Sequence, residues 1–454
     1  MNIIIRLIFL SFLLVSSAHG LQAAQPKDIH TTRSTIAEDY LPSDSIFARY
    51  LQSRGTRITY GNNLHLITSG RDKFELLFDD LTRAKDHIHL EYFNFRGDSI
   101  SRELFVRLAR NVDSGVKVRA MFDDFGNISN DKPLTKKMVK QLNNEGIELV
   151  PFDPMRFPYL NHAFTRDHQK IAVIDGRVGY TGGMNIADYY INGLPEIGEW
   201  HDMHVRIQGP AVEDLQKAFL YCWNKETKQY IQGDKYFPYQ NGKAEHCDIL
   251  AVLRNTPSGT GGSYSLSDSI YVGGGTAIVQ RKPRVDPSAM RDAYIAAIDA
   301  AEYSVKIITP YFTPLRNLRK ALYRAARRGV KVEIMISSKS DIPFSPDAGF
   351  YFANKMRKAG VRMYSFNGGF HHSKIMIVDG RFCTVGSANL NSRSHKYDYE
   401  INAFIFDMRF CEELNQIFLR DQANSTVYTK DEYMKRSAWK RFYGWFARCF
   451  TGVL

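Results

Sequence analysis

The chain has 454 residues, of which 44% are hydrophobic and 24% are charged. These values are ordinary for a globular protein and exclude a disordered chain, a collagen, a coiled coil and a polytopic membrane protein. Lysine and arginine outnumber aspartate and glutamate by 60 to 48, which gives a formal charge of +12. An excess of this sign favours a phosphate-bearing partner, either nucleic acid or a surface of anionic lipid.

The first twenty residues predict an exported protein. A single charge, Arg6, precedes an apolar run from Leu7 to Val15, and Ala18 to Gly20 supply small residues. The run is shorter than a bilayer span and has the length of a signal-peptide core. Residues 1–20 are therefore interpreted as a signal peptide or an N-terminal anchor, and the rest of the chain is expected outside the cytosol.

A metal site is not indicated by the sequence. The five cysteines include no Cys-x-x-Cys pair, so neither a zinc ribbon nor a redox dithiol is expected. An alternative zinc site would use His162, His201 and His204, but no carboxylate or thiolate follows them at a recognisable spacing.

The same succession of elements occurs twice. Apolar periodicity predicts helix, strand, helix and strand at 74–81, 88–93, 104–108 and 116–122, and again at 290–298, 304–309, 318–328 and 330–336. This alternation predicts an α/β protein with two copies of one lobe, each a mixed, mostly parallel sheet flanked by helices.

The repeat also predicts how the chain is divided. Between the two copies, glycine- and serine-rich runs at 258–263 and 273–276 suggest a flexible linker. The predicted segments after residue 20 are an N-terminal segment (21–60), a first lobe (61–230), a linker (231–285), a second lobe (286–425) and a basic amphipathic C-terminal helix (426–454).

The C-terminal helix carries an aromatic stripe at helical spacing, formed by Trp439, Phe442, Tyr443, Phe446 and Phe450. Lys440, Arg441 and Arg448 lie off this stripe. A basic helix with an aromatic face suits a membrane surface, whereas the alternative is a terminal helix packed on its own domain.

The most specific feature is a polar motif that occurs once in each lobe at identical spacing. It comprises His168, Lys170, Asp175, Gly183 and Asn185 in the first lobe, and His372, Lys374, Asp379, Ser387 and Asn389 in the second. A histidine and a lysine two residues apart on a strand share one face. The Asp-Gly pair can turn the strand into a hairpin, and the small residues beyond it allow backbone N–H groups to approach an anion.

This doubled motif suits phosphodiester chemistry. Residues needed only for packing have no reason to recur at equal spacing in both lobes, so a catalytic role is predicted. Two lysines and two asparagines can hold the non-bridging oxygens and stabilise the transition state without a metal or other cofactor. One histidine can attack phosphorus to form a phosphohistidine, while the other protonates the leaving alcohol and later activates the incoming one. A single site shared by the two lobes follows.

The paired motifs resemble those of the phospholipase D superfamily, and longer runs resemble the bacterial cardiolipin synthases within it. The similarity covers nearly all of the chain after residue 20 and is densest at 386–394 and 399–404. It implies two tandem phospholipase D-like lobes, related by a pseudo-twofold axis, around one active site. The implied catalytic residues are His168, Lys170, Asp175, His372, Lys374 and Asp379, with Asn185, Asn389, Gly183 and Ser387 binding the substrate phosphate.

The resemblance also implies individual roles. His168 is expected to be the nucleophile and His372 the general acid and base, with Asp202 and Glu400 orienting the two rings. The implied reaction is phosphatidyl transfer between two phosphatidylglycerol molecules, which gives cardiolipin and glycerol. The expected partners are this anionic phospholipid and a membrane surface, without nucleic acid, at the periplasmic face of a bacterial inner membrane.

Three alternatives remain open from the sequence. The motifs equally suit a phospholipase D-type hydrolase that uses water as acceptor, and a metal-independent secreted nuclease of the same superfamily. A non-catalytic lipid-binding protein would require both intact motifs to be relics. The chain also departs from the family pattern, because its members often begin with two long membrane spans and this chain has one short apolar segment.

Overall fold

The computed structural model describes residues 42–155, 164–240, 270–272, 274–342 and 345–448. Residues 1–20, interpreted above as a signal peptide or anchor, lie outside this range, as do His162, Phe450 and much of the predicted linker. In the part of the chain that is described, no helix has both the length and the apolar character needed to cross a membrane.

The first lobe is built on an eight-stranded mixed sheet. Its strands are β1 (Asn63–Ile67), β2 (His87–Tyr92), β3 (Lys117–Asp123), β4 (Glu148–Phe152), β5 (Lys170–Ile174), β6 (Val178–Gly182), β8 (His204–Gln208) and β9 (Ile270–Val272). They lie in the order β4-β3-β2-β5-β6-β8-β1-β9. Strands β2, β3 and β4 are parallel, and the other ladders are antiparallel.

The second lobe repeats this sheet. Its strands are β10 (Gly275–Arg281), β11 (Ser304–Ile308), β12 (Lys331–Ser337), β13 (Arg362–Phe366), β15 (Ile375–Val378), β16 (Phe382–Gly386), β17 (Glu400–Phe406) and β18 (Ser425–Val427). Their order is β10-β17-β16-β15-β11-β12-β13-β18, so seven strands correspond one to one with those of the first sheet. The predicted α/β fold with two tandem lobes and mixed sheets is confirmed, although five of the seven ladders in each sheet are antiparallel.

Helices flank both sheets. Those of the first lobe are α2 (Gly70–Thr82), α3 (Ser99–Asp113), α4 (Asp124–Ile128), α5 (Lys136–Asn144), α6 (Tyr189–Asn192) and α7 (Val212–Thr227), with a 3-10 turn at Asp234–Tyr236. Those packed with the second lobe are α1 (Ser43–Ser53), α8 (Ala289–Ala300), α9 (Arg316–Arg327), α10 (Ser345–Lys358), α11 (Ser392–Lys396), α12 (Met408–Ala423), α13 (Lys430–Lys435) and α14 (Ala438–Ala447).

A single apolar core joins the two lobes. Ile171 and Val173 of β5 belong to the same buried cluster as Ile375 and Ile377 of β15, together with side chains from α7 and α12. The alternate residues of each strand face the outer helices of their own lobe instead. Both faces of these strands are therefore buried, which explains why each follows its motif lysine with four consecutive apolar residues.

The structure corrects the predicted linker over 231–285 at its carboxyl end. Residues 275–281 form β10, which pairs with β17 along its whole length from Gly275↔Phe406 to Arg281↔Glu400. Burial of Ala277, Ile278 and Val279 against the second lobe outweighs the flexibility that the preceding glycines suggested.

The end of the predicted N-terminal segment is also part of the fold. Helix α1 packs on the second lobe through Phe47, whose ring stacks on Phe382 at 4.8 Å and meets Phe404 at 5.1 Å between centroids. Phe47 is completely buried. Helix α1 of the predicted N-terminal segment (21–60) therefore stabilises the second lobe.

Substituting Phe47→Ala should lower the free energy of unfolding by about 3–5 kcal/mol, because it removes a buried ring and leaves a cavity. Urea denaturation followed by tryptophan fluorescence measures this change. The neighbouring Ile46, which is 42% exposed, provides the control Ile46→Ala. Equal midpoints for the two variants would show that α1 does not contribute to the fold.

Candidate active site

The two lobes are joined at the segments that carry the motif histidines. Strands β7 (Trp200–His201) and β14 (Phe370–His371) pair in parallel across the lobes. The backbone N–H of His372 donates to the carbonyl of His201 at 2.6 Å, and that of His168 donates to Tyr399 at 3.0 Å. The backbone of each motif histidine is thus hydrogen-bonded to a residue of the other lobe, and the next residue in that lobe is acidic.

These acidic side chains bind the histidine rings. Nδ1 of His168 lies 3.1 and 3.2 Å from the carboxylate oxygens of Glu400, and Nδ1 of His372 lies 2.6 Å from Oδ2 of Asp202. Both contacts cross between the lobes, since His168 and Asp202 belong to the first lobe and the other two residues to the second. A carboxylate on Nδ1 fixes the tautomer and leaves Nε2 as the reactive nitrogen.

Burial keeps both imidazoles neutral at pH 7 in the free protein. Burial, followed by the charge of Lys170, lowers the pKa of His168 to about 4, although Glu400 opposes this shift. The pKa of His372 is also well below its ordinary value because of burial and the charge of Lys374. A neutral imidazole has a lone pair for attack on phosphorus, which is the property a nucleophile requires.

The motif lysines lie beside the histidines and are fully buried. Nζ of Lys170 donates to the carbonyl of His168 at 2.5 Å. Nζ of Lys374 donates to the carbonyl of His372 and lies 2.8 Å from its Nδ1. Burial lowers the pKa of Lys170 to about 8 and that of Lys374 to about 7, although the nearby carboxylates oppose both shifts.

The small residues after each motif support the carboxylates, which corrects their predicted contact with substrate. The N–H groups of Gly183 and Ser387 donate to the carbonyls of Met203 and Ile401, both at 2.9 Å, so they are not available to a phosphate. The Ser387 hydroxyl donates to Glu400. A side chain at Gly183 would overlap Asp202, with a Cβ only 2.0 Å from Oδ1.

The structure does not bring Asp175 and Asp379 to the histidines. Asp175 lies at the far end of β5, about 16 Å along the strand from Lys170. Its carboxylate accepts the backbone N–H groups of Lys85, Asp86 and His87, and Asp379 accepts the equivalent N–H groups of residues 302–304. Both occupy the predicted hairpin turns with positive φ, at 53° and 52°. They therefore hold the strands in place and do not contact a reacting atom.

The motif asparagines are buried near the start of the loops that follow β6 and β16. The side-chain oxygens of Asn185 and Asn389 have no hydrogen-bond partner within the described ranges. Their predicted role at the substrate phosphate stays a prediction.

Sequence reasoning missed Lys73, a completely buried lysine on α2. Its Nζ donates to the carbonyls of Met184 and Asn185 at 3.0 and 2.9 Å, so it holds the loop that carries the first asparagine. Burial, despite the charge of Asp202, lowers its pKa well below the ordinary value. Its position on the apolar stripe of α2, four residues before Leu77, was the available signal.

The alternative zinc site receives no support. His201 Nε2 contacts the carbonyl of Gly368 at 3.0 Å, and His204 Nδ1 accepts the N–H of Met184 at 3.4 Å. Across the described residues, no group of three or more His, Cys, Asp or Glu side chains is placed to hold a metal ion.

Fold and site together define the class of protein. Two α/β lobes that contribute one histidine and one lysine each to a single buried site are a phospholipase D-like arrangement. The family model described as "Cardiolipin synthase, PLD-like domain" matches residues 77–223 and 294–422. The chain belongs to this cardiolipin synthase family.

Similar proteins agree with this assignment. The chain is 33% identical over 395 residues to a cardiolipin synthase of Staphylococcus aureus (strain Mu50 / ATCC 700699), covering 86% of this chain and 74% of the relative. It is 33% identical over 397 residues to the major cardiolipin synthase ClsA of Bacillus subtilis (strain 168), covering 87% and 76%. The crystal structure of phosphatidylserine synthase from Haemophilus influenzae Rd KW20 has a similar fold, with a TM-score of 0.64, 15% identity, and coverage of 90% of this chain and 99% of that chain.

The lysine pKa values predict how activity depends on pH. Lys374, with a pKa of about 7, loses its charge before Lys170, at about 8. The kcat/KM for a phosphodiester substrate should therefore fall above about pH 7, because an uncharged amine no longer attracts the phosphate oxygens. In Lys374→Arg the guanidinium stays charged, so the alkaline fall should begin about one pH unit higher. The exposed Lys137→Arg is the control, and an unshifted alkaline limb in Lys374→Arg would contradict this reading.

Proposed function

We propose that this protein is a cardiolipin synthase that transfers a phosphatidyl group from one phosphatidylglycerol to another and releases glycerol. The observation that carries the proposal is the single buried site in which each lobe's histidine binds a carboxylate of the other lobe. The names of the relatives support the choice of lipid. Because one phosphodiester replaces another, no nucleotide-activated donor is required.

The first half-reaction transfers the phosphatidyl group to the protein. Nε2 of His168 attacks phosphorus, and the bond between phosphorus and the headgroup glycerol oxygen breaks. His372 gives its Nε2 proton to that oxygen, so glycerol leaves as a neutral alcohol. The anionic phosphodiester raises the pKa of the adjacent His372 when it binds, which lets this ring carry the proton. Lys170 and Lys374 stabilise the charge on the non-bridging oxygens.

The second half-reaction reverses these roles. His372, now neutral, takes the proton from a primary hydroxyl of a second phosphatidylglycerol. The resulting oxygen attacks phosphorus and the bond to His168 breaks, which gives cardiolipin and restores the nucleophile. Asp202 stabilises the imidazolium of His372 that exists before glycerol leaves and again after the acceptor hydroxyl is deprotonated. Its own pKa, which burial raises to about 6, leaves it ionised at pH 7.

Purified protein incubated with phosphatidylglycerol should produce cardiolipin and glycerol in equal amounts by mass spectrometry. Asp202→Asn should lower kcat by about 10²- to 10⁴-fold, because the amide cannot stabilise the imidazolium. Asp175→Asn, far from the histidines, should lower stability more than kcat. Phosphatidic acid as the sole lipid product would show that the protein is a hydrolase and not a synthase.

The covalent intermediate is expected on His168. With phosphatidylglycerol labelled in its phosphate, wild-type protein quenched in a neutral denaturant should carry label that alkali retains and acid removes, as a phosphohistidine does. His168→Asn should carry none. Label retained in His168→Asn but lost in His372→Asn would assign the nucleophile to the other lobe.

We also propose that α14 docks on the membrane surface, at the periplasmic face of the inner membrane if residues 1–20 direct export. Helix α14 packs on α10 through Gly444, which has no room for a side chain beside the carbonyl of Asp347. The described residues of the aromatic stripe face outward, with Trp439, Phe442, Tyr443 and Phe446 between 36 and 64% exposed. Trp445, which lies beside the stripe, is 43% exposed. Exposed aromatic rings beside Lys440 and Arg448 suit the interface of an anionic bilayer.

Replacing Trp439→Ser and Trp445→Ser together should weaken binding to phosphatidylglycerol vesicles by at least tenfold, since two interfacial rings are lost. Sedimentation with vesicles measures the binding. Tyr60→Ser with Tyr230→Ser removes two exposed rings elsewhere and serves as the matched control. Equal binding by the two double variants would rule out α14 as the docking element.

A further inference from the structure

A pocket of about 490 Å³ opens on the second lobe between α8, α9 and α11. It is separate from the paired histidines, none of which lines it. Its lining includes four cationic side chains, Arg291, Arg316, Lys320 and Lys396, and no carboxylate among the described residues that form it. Cations gathered around a concave surface produce a local positive potential that concentrates anions.

Three of these cations have no counterion among the residues that the structure describes. Arg291 Nε is paired with Asp292 at 2.8 Å. Arg316, Lys320 and Lys396 form no ion pair with any carboxylate of the described chain, and all three are exposed. Farther along α9, by contrast, Arg324 is paired with Asp299 at 2.5 Å. The pocket therefore gathers three exposed charges that no described carboxylate offsets.

The amino end of α9 adds to the positive potential. Leu315, Arg316 and Asn317 line the pocket, and Leu315 provides no side-chain cap to this 12-residue helix. The side chain of Asn317 accepts the N–H of Leu318 at 3.1 Å, which leaves the N–H groups of Arg316 and Asn317 in this first turn suited to bind the oxygens of an anion.

A buried histidine supplies an independent indication of a ligand. His395 lines the pocket and is 1% exposed. Neither ring nitrogen makes a hydrogen bond of good geometry within the described residues, although the ring lies close to the backbone of Asn389. Burial lowers its pKa to about 3, with Glu400 and the backbone of Asn389 opposing the shift, so the ring is neutral. A buried donor without a partner is destabilising, and an oxygen of a ligand in the pocket would satisfy it.

We propose that this pocket is a second phosphate-binding site, formed by Arg316, Lys320, Lys396 and His395. Its ligand is a phosphate or phosphodiester anion, supplied either as inorganic phosphate or as the headgroup of an anionic lipid. The pocket borders the second motif, because Ser394, next to His395, accepts the N–H of Asn389 at 3.2 Å. The inference rests on the pocket alone and is independent of the proposed reaction.

The test is calorimetric titration of the full chain with inorganic phosphate at constant ionic strength. All samples carry His168→Asn, which prevents turnover of lipid in the later arm. Adding Arg316→Ala and Lys320→Ala should weaken one phosphate site by at least tenfold, since two charge-assisted contacts are lost. Lys137→Ala with Lys140→Ala removes the same charge from exposed positions on α5 and should leave binding unchanged.

Identical phosphate stoichiometry and affinity in the two double variants would overturn the proposal. His395→Leu, which keeps the volume buried, should also weaken the site, and normal binding in this variant would remove His395 from it. A second titration adds dihexanoyl phosphatidylglycerol below its micelle concentration. Displacement of phosphate from the pocket assigns the lipid headgroup as ligand, and retention of phosphate assigns the free anion.

Discussion

Each catalytic histidine is held by a carboxylate of the other lobe, and these crossed contacts fix the position of one lobe relative to the other. His168 requires Glu400 of the second lobe, and His372 requires Asp202 of the first. A pair made within one lobe would survive a small displacement of the other lobe. These crossed pairs would not, because a shift of one ångström would break hydrogen bonds of 3.1 and 2.6 Å.

The apolar core between the two sheets prevents such a displacement of one lobe relative to the other. The motif strands β5 and β15 contribute to one apolar cluster with α7 and α12, so the segments that begin at Lys170 and Lys374 cannot move independently. The same burial that fixes the geometry also removes water from the charged groups. It keeps the imidazoles neutral, as attack on phosphorus requires, and it lowers the pKa values of the lysines, so their charge is lost just above neutral pH.

The sequence was most informative where a local pattern recurred. Periodicity placed the four strands that it predicted within one residue of their observed bounds, and equal spacing identified the histidines and lysines, because both signals are short-range. The contact of each histidine with a carboxylate of the other lobe could not be predicted from local patterns, since His168 and Glu400 are 232 residues apart. Asp175 recurs in the motif together with the histidine, but it stabilises the hairpin turn. Recurrence alone therefore did not distinguish catalytic residues from residues needed for folding. Strand β10 was missed because its partner β17 lies more than a hundred residues later.

The most direct test of the central claim is a double-mutant cycle on kcat/KM for cardiolipin formation. Asp202→Asn and Glu400→Gln are each introduced into wild type and into His372→Asn. Residues that act as a unit are not additive. The crossed arrangement predicts that Asp202→Asn lowers the residual activity of His372→Asn by no more than about threefold, whereas Glu400→Gln exerts its full single effect. The crossed arrangement would be contradicted if, in the His372→Asn background, Asp202→Asn lowered kcat/KM by its full single effect while Glu400→Gln had little further effect.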